Sequence, residues 1–133
     1  MSRGTSLVRS EFVELDVHFA DKVVVVRRTA LPFAKSADID LAIAVIAKAL
    51  PAYRRRGHAV LIDMRAAPLR TDPSLDPAFA RYRAETERGF ERAVVVVDTV
   101  LGRIRSDRLG QTTRIRLDIV ATLEDGWKLL RGT

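Results

Sequence analysis

Residues 22–28 read KVVVVRR, and this stretch decides the fold. Four valines in a row, without polar alternation, are typical of a strand that is buried on both faces. Two further runs of this buried type lie at residues 59–64 and 93–97. Because strands buried on both faces belong to parallel sheets covered by helices, the sequence predicts an α/β fold.

Two more strands are predicted from the alternation of apolar and polar residues. In residues 11–19 and 114–121, apolar side chains recur at every second position. Such alternation indicates a strand with one solvent-facing side, so both strands are expected at the edges of the sheet. The first pairs with residues 22–28 in a hairpin. The expected architecture is a five-stranded, mostly parallel sheet opened by this antiparallel hairpin.

The spacing of apolar residues predicts four helices between and after the strands. They cover residues 36–53, 76–90, 99–109 and 122–131. The predicted caps at their starts are Ser36 or Asp38, Asp76 and Thr122. Pro51 is expected to bend or break the first helix, because proline disrupts a helix interior.

The chain has 133 residues, the size of one domain with one core. We expect residues 1–10 to be a flexible start and residues 11–133 to form the domain. The chain has no cysteine, which excludes a thiol nucleophile, a thiolate zinc site and an iron-sulfur cluster. No stretch has the character of a signal peptide or the length of a membrane span, so a cytoplasmic location is expected.

Two acidic residues, Asp63 and Asp98, lie at or just after the ends of buried strands. In an open α/β sheet, ligands collect beyond the carboxyl ends of the parallel strands, and neighbouring strands would bring these carboxylates close together. One interpretation is a site for a hard cation such as Mg²⁺. The interpretation that we favour is an ion pair of Asp63 with an arginine such as Arg65 and a helix cap by Asp98. No cofactor and no bound metal is therefore expected.

The loop at residues 67–77 leaves the same edge of the sheet and is long and polar. Long loops at this edge often carry function, although proline spacing and Asx turns would also explain the composition. Thr71 and Ser74 are hydroxyls near an arginine, a setting in which phosphorylation can act. The residues of this loop that we add to the candidate site are Leu69, Arg70, Thr71 and Asp72.

Basic residues exceed acidic ones, 23 against 17, for a formal net charge of +6. The densest basic segment contains Arg103, Arg105, Arg108, Arg114 and Arg116, and we include Arg103 among the candidate binding residues. Nucleic acid, an acidic protein or anionic lipid could each use such a segment. Because no aromatic residues interleave with these arginines for base stacking, a solvated face is the simpler interpretation and nucleic acid the weakest partner.

The order of these elements resembles the STAS fold of bacterial anti-sigma factor antagonists and related small STAS/SEC14-like proteins. The resemblance covers about residues 11–131 and rests on the hairpin, the strands at 59–63 and 94–97, and the segment TLEDGW at 122–127. It implies a sheet whose strands follow roughly in sequence order, with four helices mainly on one side. It also implies a non-enzymatic regulatory module that binds a partner protein.

The motif that follows the matching strand differs from that of the antagonists. In the antagonists an Asp-Ser-Ser/Thr-Gly type motif carries a hydroxyl that is phosphorylated to switch partner binding. Here residues 63–67 read DMRAA, so Asp63 matches and the phosphoacceptor does not. The resemblance therefore implies an interaction module without the usual phosphorylation switch.

Three functions remain open from the sequence alone. The first is a protein-binding module that docks its partner through residues 65–77 and the next helix, with Met64, Leu69, Leu75 and Phe79 as apolar anchors. The second is a small-molecule or anion-binding protein, or a weak enzyme, using the strand-end residues Asp63, Arg65, Arg70 and Asp98. The third is nucleic-acid binding through the basic segment around Arg103. Exposed edge strands also make a homodimer plausible.

Overall fold

The computed structural model describes residues 4–68, 72–99 and 115–132. They form a mixed six-stranded sheet whose strands lie side by side in the order of the sequence. The strands are β1 (Thr5–Arg9), β2 (Val13–His18), β3 (Val23–Arg28), β4 (Ala59–Asp63), β5 (Arg92–Val96) and β6 (Arg116–Val120). β2 is antiparallel to both β1 and β3, and β3 to β6 are parallel. The predicted α/β architecture, with parallel strands after an antiparallel hairpin, is confirmed.

The sheet has one strand more than the sequence predicts. β1 comes from the first ten residues, which we expected to be flexible, and it pairs with β2, so that β2 is not an edge strand. The alternation of β2 reflects its two faces, because Val13, Leu15 and Val17 are buried and the residues between them only half-buried. β1 escaped prediction because its register shifts between Ser6 and Val8, which interrupts any alternation. β6 lies at the other edge, as predicted.

Four α-helices connect or follow the strands in the described ranges. They are α1 (Ser36–Ala49), α2 (Ala52–Arg55), α3 (Asp76–Glu87) and α4 (Leu123–Arg131), and the 3-10 turn Pro73–Leu75 precedes α3. Pro51 separates α1 from α2, as predicted. The helix predicted at residues 99–109 lies almost entirely outside the described residues. Among the described helices, none combines the length and the hydrophobicity that crossing a membrane requires.

The helix starts agree only in part with the predicted caps. Thr122 Oγ1 accepts a hydrogen bond from the backbone N–H of Asp125 at 3.1 Å, so the cap of α4 is confirmed. α1 begins at Ser36, and the Asp38 carboxylate accepts bonds from two backbone N–H groups that precede the helix. Asp76 is the first residue of α3 and not its cap, because the 3-10 turn leads directly into the helix.

The two faces of the sheet are covered by different helices. α1 and α3 pack on the face that carries the main core, which includes Leu15, Ile46 and Ile62. α4 packs on the opposite face, against a smaller cluster made of Val23, Val25, Leu61, Val94 and Val96. The predicted core role of Trp127 is confirmed, because its side chain lies against this smaller cluster.

Gly126 sets how closely α4 approaches the sheet. A Cβ atom at this position would lie 3.0 Å from Leu61 Cδ1 and 3.5 Å from methyl groups of Val94 and Val96. A larger side chain would have to displace these neighbours, so the glycine allows the helix backbone to lie directly on the strands.

Candidate functional site

Asp63 ends β4 and lies at the carboxyl end of the parallel strands. Only 3% of its side chain is exposed. Arg65 binds both carboxylate oxygens, with Arg65 Nε at 2.9 Å from Oδ1 and Nη2 at 2.9 Å from Oδ2. The backbone N–H of Arg65 also donates to Oδ1 at 3.1 Å. The ion pair that the sequence predicts between these two residues is therefore present.

A second arginine reaches Asp63 from the neighbouring strand. Arg27 is the register partner of Asp63, and its Nε lies 3.8 Å from Oδ2. The Arg27 guanidinium also lies 3.4 Å from Asp16 and 3.6 Å from Glu14, and Arg9 lies 3.1 Å from Glu14. Side chains at paired positions of neighbouring strands project to the same face of a sheet. The result is an ion-pair network across β1 to β4 in which three arginines, counting Arg65, balance three carboxylates.

This network decides the protonation state of Asp63. Burial by itself raises the pKa of the carboxyl, because it removes water from the charged form. The hydrogen bonds from Arg65 and the positive charges of Arg65 and Arg27 outweigh that effect and hold the pKa of Asp63 below its ordinary value. Asp63 is therefore ionised at neutral pH and paired on both oxygens, which leaves it unsuited to general acid or base catalysis.

Asp98 lies two residues beyond β5, at the same end of the sheet, and is exposed. Hydrogen bonding to Asp63 raises the pKa of Arg65, and the negative charge of Asp98 raises it further. Asp63 and Asp98 therefore both stabilise the charge of the Arg65 guanidinium at the carboxyl end of the parallel strands, where the strand order predicts them to meet. The helix that Asp98 was predicted to cap falls on residues 99–109, of which all but Thr99 lie outside the described ranges.

The contacts of these acids do not fit a site for Mg²⁺. Both oxygens of Asp63 are occupied by Arg65, so a cation would have to displace the guanidinium. Magnesium prefers an octahedral set of oxygen ligands. Within residues 4–68, 72–99 and 115–132, no group of three or more histidine or acidic side chains is placed to hold a metal ion.

Asp72 shapes the loop that leads into α3. Its Oδ1 accepts hydrogen bonds from the backbone N–H of Ser74 at 2.9 Å and from its hydroxyl at 2.7 Å, and these bonds lower the pKa of Asp72. Asp72, and not Asp76, therefore caps this turn. The other predicted binding residues lie outside the described ranges, and they are Leu69, Arg70, Thr71 and Arg103.

The predicted apolar anchors differ in how much of them reaches the surface. Leu75 is only 6% exposed and belongs to the main core, so it cannot anchor a partner, contrary to the prediction. Met64 and Phe79 are half-buried against the same core, and the Phe79 ring lies 5.6 Å from that of Tyr82. Leu69 lies outside the described residues. Leu75 is the last residue of the 3-10 turn before α3, and its side chain points into the main core.

Arg27 and Arg55 are among the arginines whose structural roles were not found from the sequence. Arg27 belongs to the ion-pair network. The sequence did indicate its face of the sheet, because Arg27 follows Val23 and Val25 at every second position of β3. Arg55, the middle one of three consecutive arginines at residues 54–56, is fully buried. Its guanidinium donates to the Leu50 carbonyl at 2.7 Å and binds the Glu85 carboxylate at 2.8 Å. No spacing in the sequence distinguishes Arg55 from the arginines on either side.

The sequence matches none of the protein families and none of the curated proteins with which it was compared. Among solved structures, the fold is similar to that of an uncharacterized protein from Shewanella loihica described as SpoIIAA-like, with a TM-score of 0.62, 13% identity and 98% of each chain covered. A second similar structure is an anti-sigma factor antagonist from Mycobacterium paratuberculosis, with a TM-score of 0.46, 22% identity, and 97% of this chain and 95% of that chain covered. The chain has a SpoIIAA-like fold of the STAS type, as the resemblance implied.

Proposed function

We propose that this protein is a non-enzymatic regulatory module that binds a partner protein at the carboxyl end of its parallel strands. The described residues of this strand-end surface are Asp63, Arg65, Asp72 and Asp98. The observation that carries the proposal is the saturation of Asp63 by Arg65 and Arg27. Asp63 lies where ligands bind in such sheets, but its carboxylate holds Arg65 and the segment after β4 in place. This favours a rigid docking surface over a catalytic centre.

The charges that remain at this surface suit recognition of a partner. Arg65 keeps 41% of its side chain exposed while its inner edge binds Asp63, so the outer edge of a fixed guanidinium faces solvent. Asp72 and Asp98, which both follow Arg65 in the sequence, are exposed as well. Fixed charges of both signs steer association and select orientation, and they contribute more to specificity than to raw affinity.

The SpoIIAA-like fold supports the same function. The phosphorylated hydroxyl that the resemblance implies after β4 is not part of this sequence. Position 64 is methionine and position 65 is the arginine that binds Asp63, so the segment after β4 has no hydroxyl to phosphorylate until residue 71. Binding at the strand-end surface is therefore proposed to be independent of phosphorylation at the usual place. Control of the interaction would come from the abundance or the state of the partner.

The test compares two charge reversals at opposite ends of β5. Asp98→Lys changes the strand-end surface, and Glu91→Lys changes another exposed acid, just before the strand. A partner is first identified by affinity purification and mass spectrometry from the cells that make the protein, and its Kd is then measured by calorimetry with purified components. We expect Asp98→Lys to weaken binding about tenfold and Glu91→Lys to change it less than about twofold.

Three results would overturn the proposal. One is the absence of any partner that binds the purified protein. Another is an equal loss of affinity in the two variants, which would place the interface elsewhere. The third is a clear rise in Tm with phosphate-bearing small molecules that is lost in Arg65→Gln, which would assign the surface to a small anion instead.

A further inference from the structure

The opposite end of the sheet is built from connections that hold one another in place. The turn after β2, the segment between α1 and β4, and the segment before β5 all lie at the amino end of the parallel strands. The backbone N–H of Ala59 donates to the Lys22 carbonyl at 3.0 Å, and that of Glu91 donates to the His58 carbonyl at 3.0 Å. These bonds make the three connections one continuous surface.

This end carries positive charge that nothing described neutralises. Four of its cations make no ion pair with any residue in the described ranges, and they are Lys22, Lys48, Arg54 and Arg56. Most of the nearby acids are already taken, since Asp21 lies 3.2 Å from Arg131 and Glu85 lies 2.8 Å from Arg55. Glu91 is the exposed acid that remains. The amino end of the sheet therefore presents a surplus of positive charge.

Two aromatic side chains protrude from the same end. Phe19, in the turn after β2, is 64% exposed, and Tyr53, at the start of α2, is 69% exposed. These are the two most exposed large apolar side chains of the described residues. The Arg54 guanidinium lies 5.6 Å from the centre of the Tyr53 ring, so a cation accompanies this aromatic. We call the set of Phe19, Lys22, Lys48, Tyr53, Arg54 and Arg56 the amino-end surface.

We propose that the amino-end surface docks on an anionic phospholipid bilayer. Exposed aromatic rings prefer the membrane interface, and each lysine or arginine near an anionic leaflet strengthens binding about fivefold. The rings project from two separate connections at one end of the molecule, which suits a flat surface. Single-stranded nucleic acid would require a basic groove with rings placed to stack successive bases.

Docking by this end leaves the strand-end surface free. The two surfaces lie at opposite ends of the parallel strands, so a membrane-bound molecule would present Arg65 and Asp98 away from the lipid. Membrane docking and partner binding are therefore compatible, and each can be tested without the other.

Co-sedimentation with vesicles tests the proposal on the full chain. The probes are vesicles of phosphatidylcholine alone and vesicles with about 30 mol% phosphatidylglycerol. The double variant Arg54→Gln/Arg56→Gln is compared with Arg9→Gln/Arg81→Gln, which removes the same charge from exposed arginines elsewhere. We expect binding only to anionic vesicles, a loss of about 30-fold in the first variant, and a loss below about threefold in the control. Phe19→Ser should also weaken binding, with a loss that raising the salt does not remove.

The outcomes that contradict the proposal are distinct. Failure of the wild-type protein to bind anionic vesicles overturns it, as does an equal loss in the two double variants, which would indicate a response to net charge only. Tighter binding of a fluorescent single-stranded RNA, lost in the same double variant, would assign the surface to nucleic acid. Self-association that Phe19→Ser abolishes, seen by analytical ultracentrifugation, would assign it to a second copy of the chain.

Discussion

The two ends of the sheet carry the same kinds of charged residue and use them differently. At the carboxyl end, Asp63 is held by Arg65 and Arg27 in a network whose charges balance. At the amino end, Lys22, Lys48, Arg54 and Arg56 make no ion pair with any residue of the described ranges. Charges that strand register brings into contact stabilise the fold, whereas charges on connections remain free to bind other molecules. The comparison predicts which substitutions affect stability and which affect binding.

The largest loss of stability is expected for Arg55, the buried exception at the amino end. Arg55→Met would remove the side-chain donor of the Leu50 and Arg88 carbonyls and leave the Glu85 carboxylate with Arg88 as its remaining partner. Since unpaired buried polar groups are strongly unfavourable, the free energy of unfolding should fall by about 3–5 kcal/mol. Urea denaturation followed by circular dichroism measures this. The adjacent exposed Arg56→Met serves as control and should change it by less than about 0.5 kcal/mol.

A smaller loss is expected at the carboxyl end. Asp63→Asn keeps the size of the side chain and removes the charge that Arg65 and Arg27 share. Because Arg65 is partly exposed and can turn to solvent, the free energy of unfolding should fall by about 2 kcal/mol, less than for a fully buried pair. Asp98→Asn, at the same edge but exposed, should change it by less than about 0.5 kcal/mol. Equal losses in the two variants would show that burial does not distinguish these acids.

The same carboxylate predicts how stability depends on pH. The pKa of Asp63 is lower in the folded protein than its ordinary value, which the unfolded chain has. Its contribution is therefore complete above the unfolded pKa of about 4 and is lost as the pH falls through the lower folded pKa. The stability difference between wild type and Asp63→Asn should shrink by about 1 kcal/mol or more between about pH 5 and pH 2. A difference that stays constant across this range would contradict the ion pair.

The smallest effect is expected from the unpaired cations. Arg54→Gln/Arg56→Gln should change the free energy of unfolding by less than about 0.5 kcal/mol, in the stabilising direction at low salt, because it relieves repulsion between like charges. The difference should vanish at high salt, where charges are screened. Thermal denaturation at two salt concentrations measures it. A clear destabilisation would mean that these arginines have structural partners.

The sequence predicts those strands whose pattern of apolar residues is complete within the strand itself. The runs at residues 23–26, 59–64 and 93–97 predict their strands correctly, because a strand buried on both faces has to be apolar throughout. β1 escapes prediction because the register shift between Ser6 and Val8 leaves no regular pattern. The parallel direction of β3, β4 and β5 follows from the helices between them, since such crossovers join parallel strands.

The candidate site shows the same division. The contact of Asp63 with Arg65 is predictable, because the two residues are separated by one position in a turn. The contact with Arg27 depends on the alignment of β3 with β4, which the sequence does not show without the structure. Which of the arginines at 54–56 is buried depends on where α3 lies. The sequence does not distinguish them, because three identical residues follow one another.

The close contact at Gly126 has a consequence for how the fold opens. α4 has nine residues and fully buries only this glycine, so a few half-buried side chains attach it to the sheet. Elements attached in this way detach at lower free energy than the rest of a protein, and their amide protons exchange first. In hydrogen exchange, the amides of α4 should therefore lose protection well before those of β3 to β5, and each such event would briefly expose the valines beneath it.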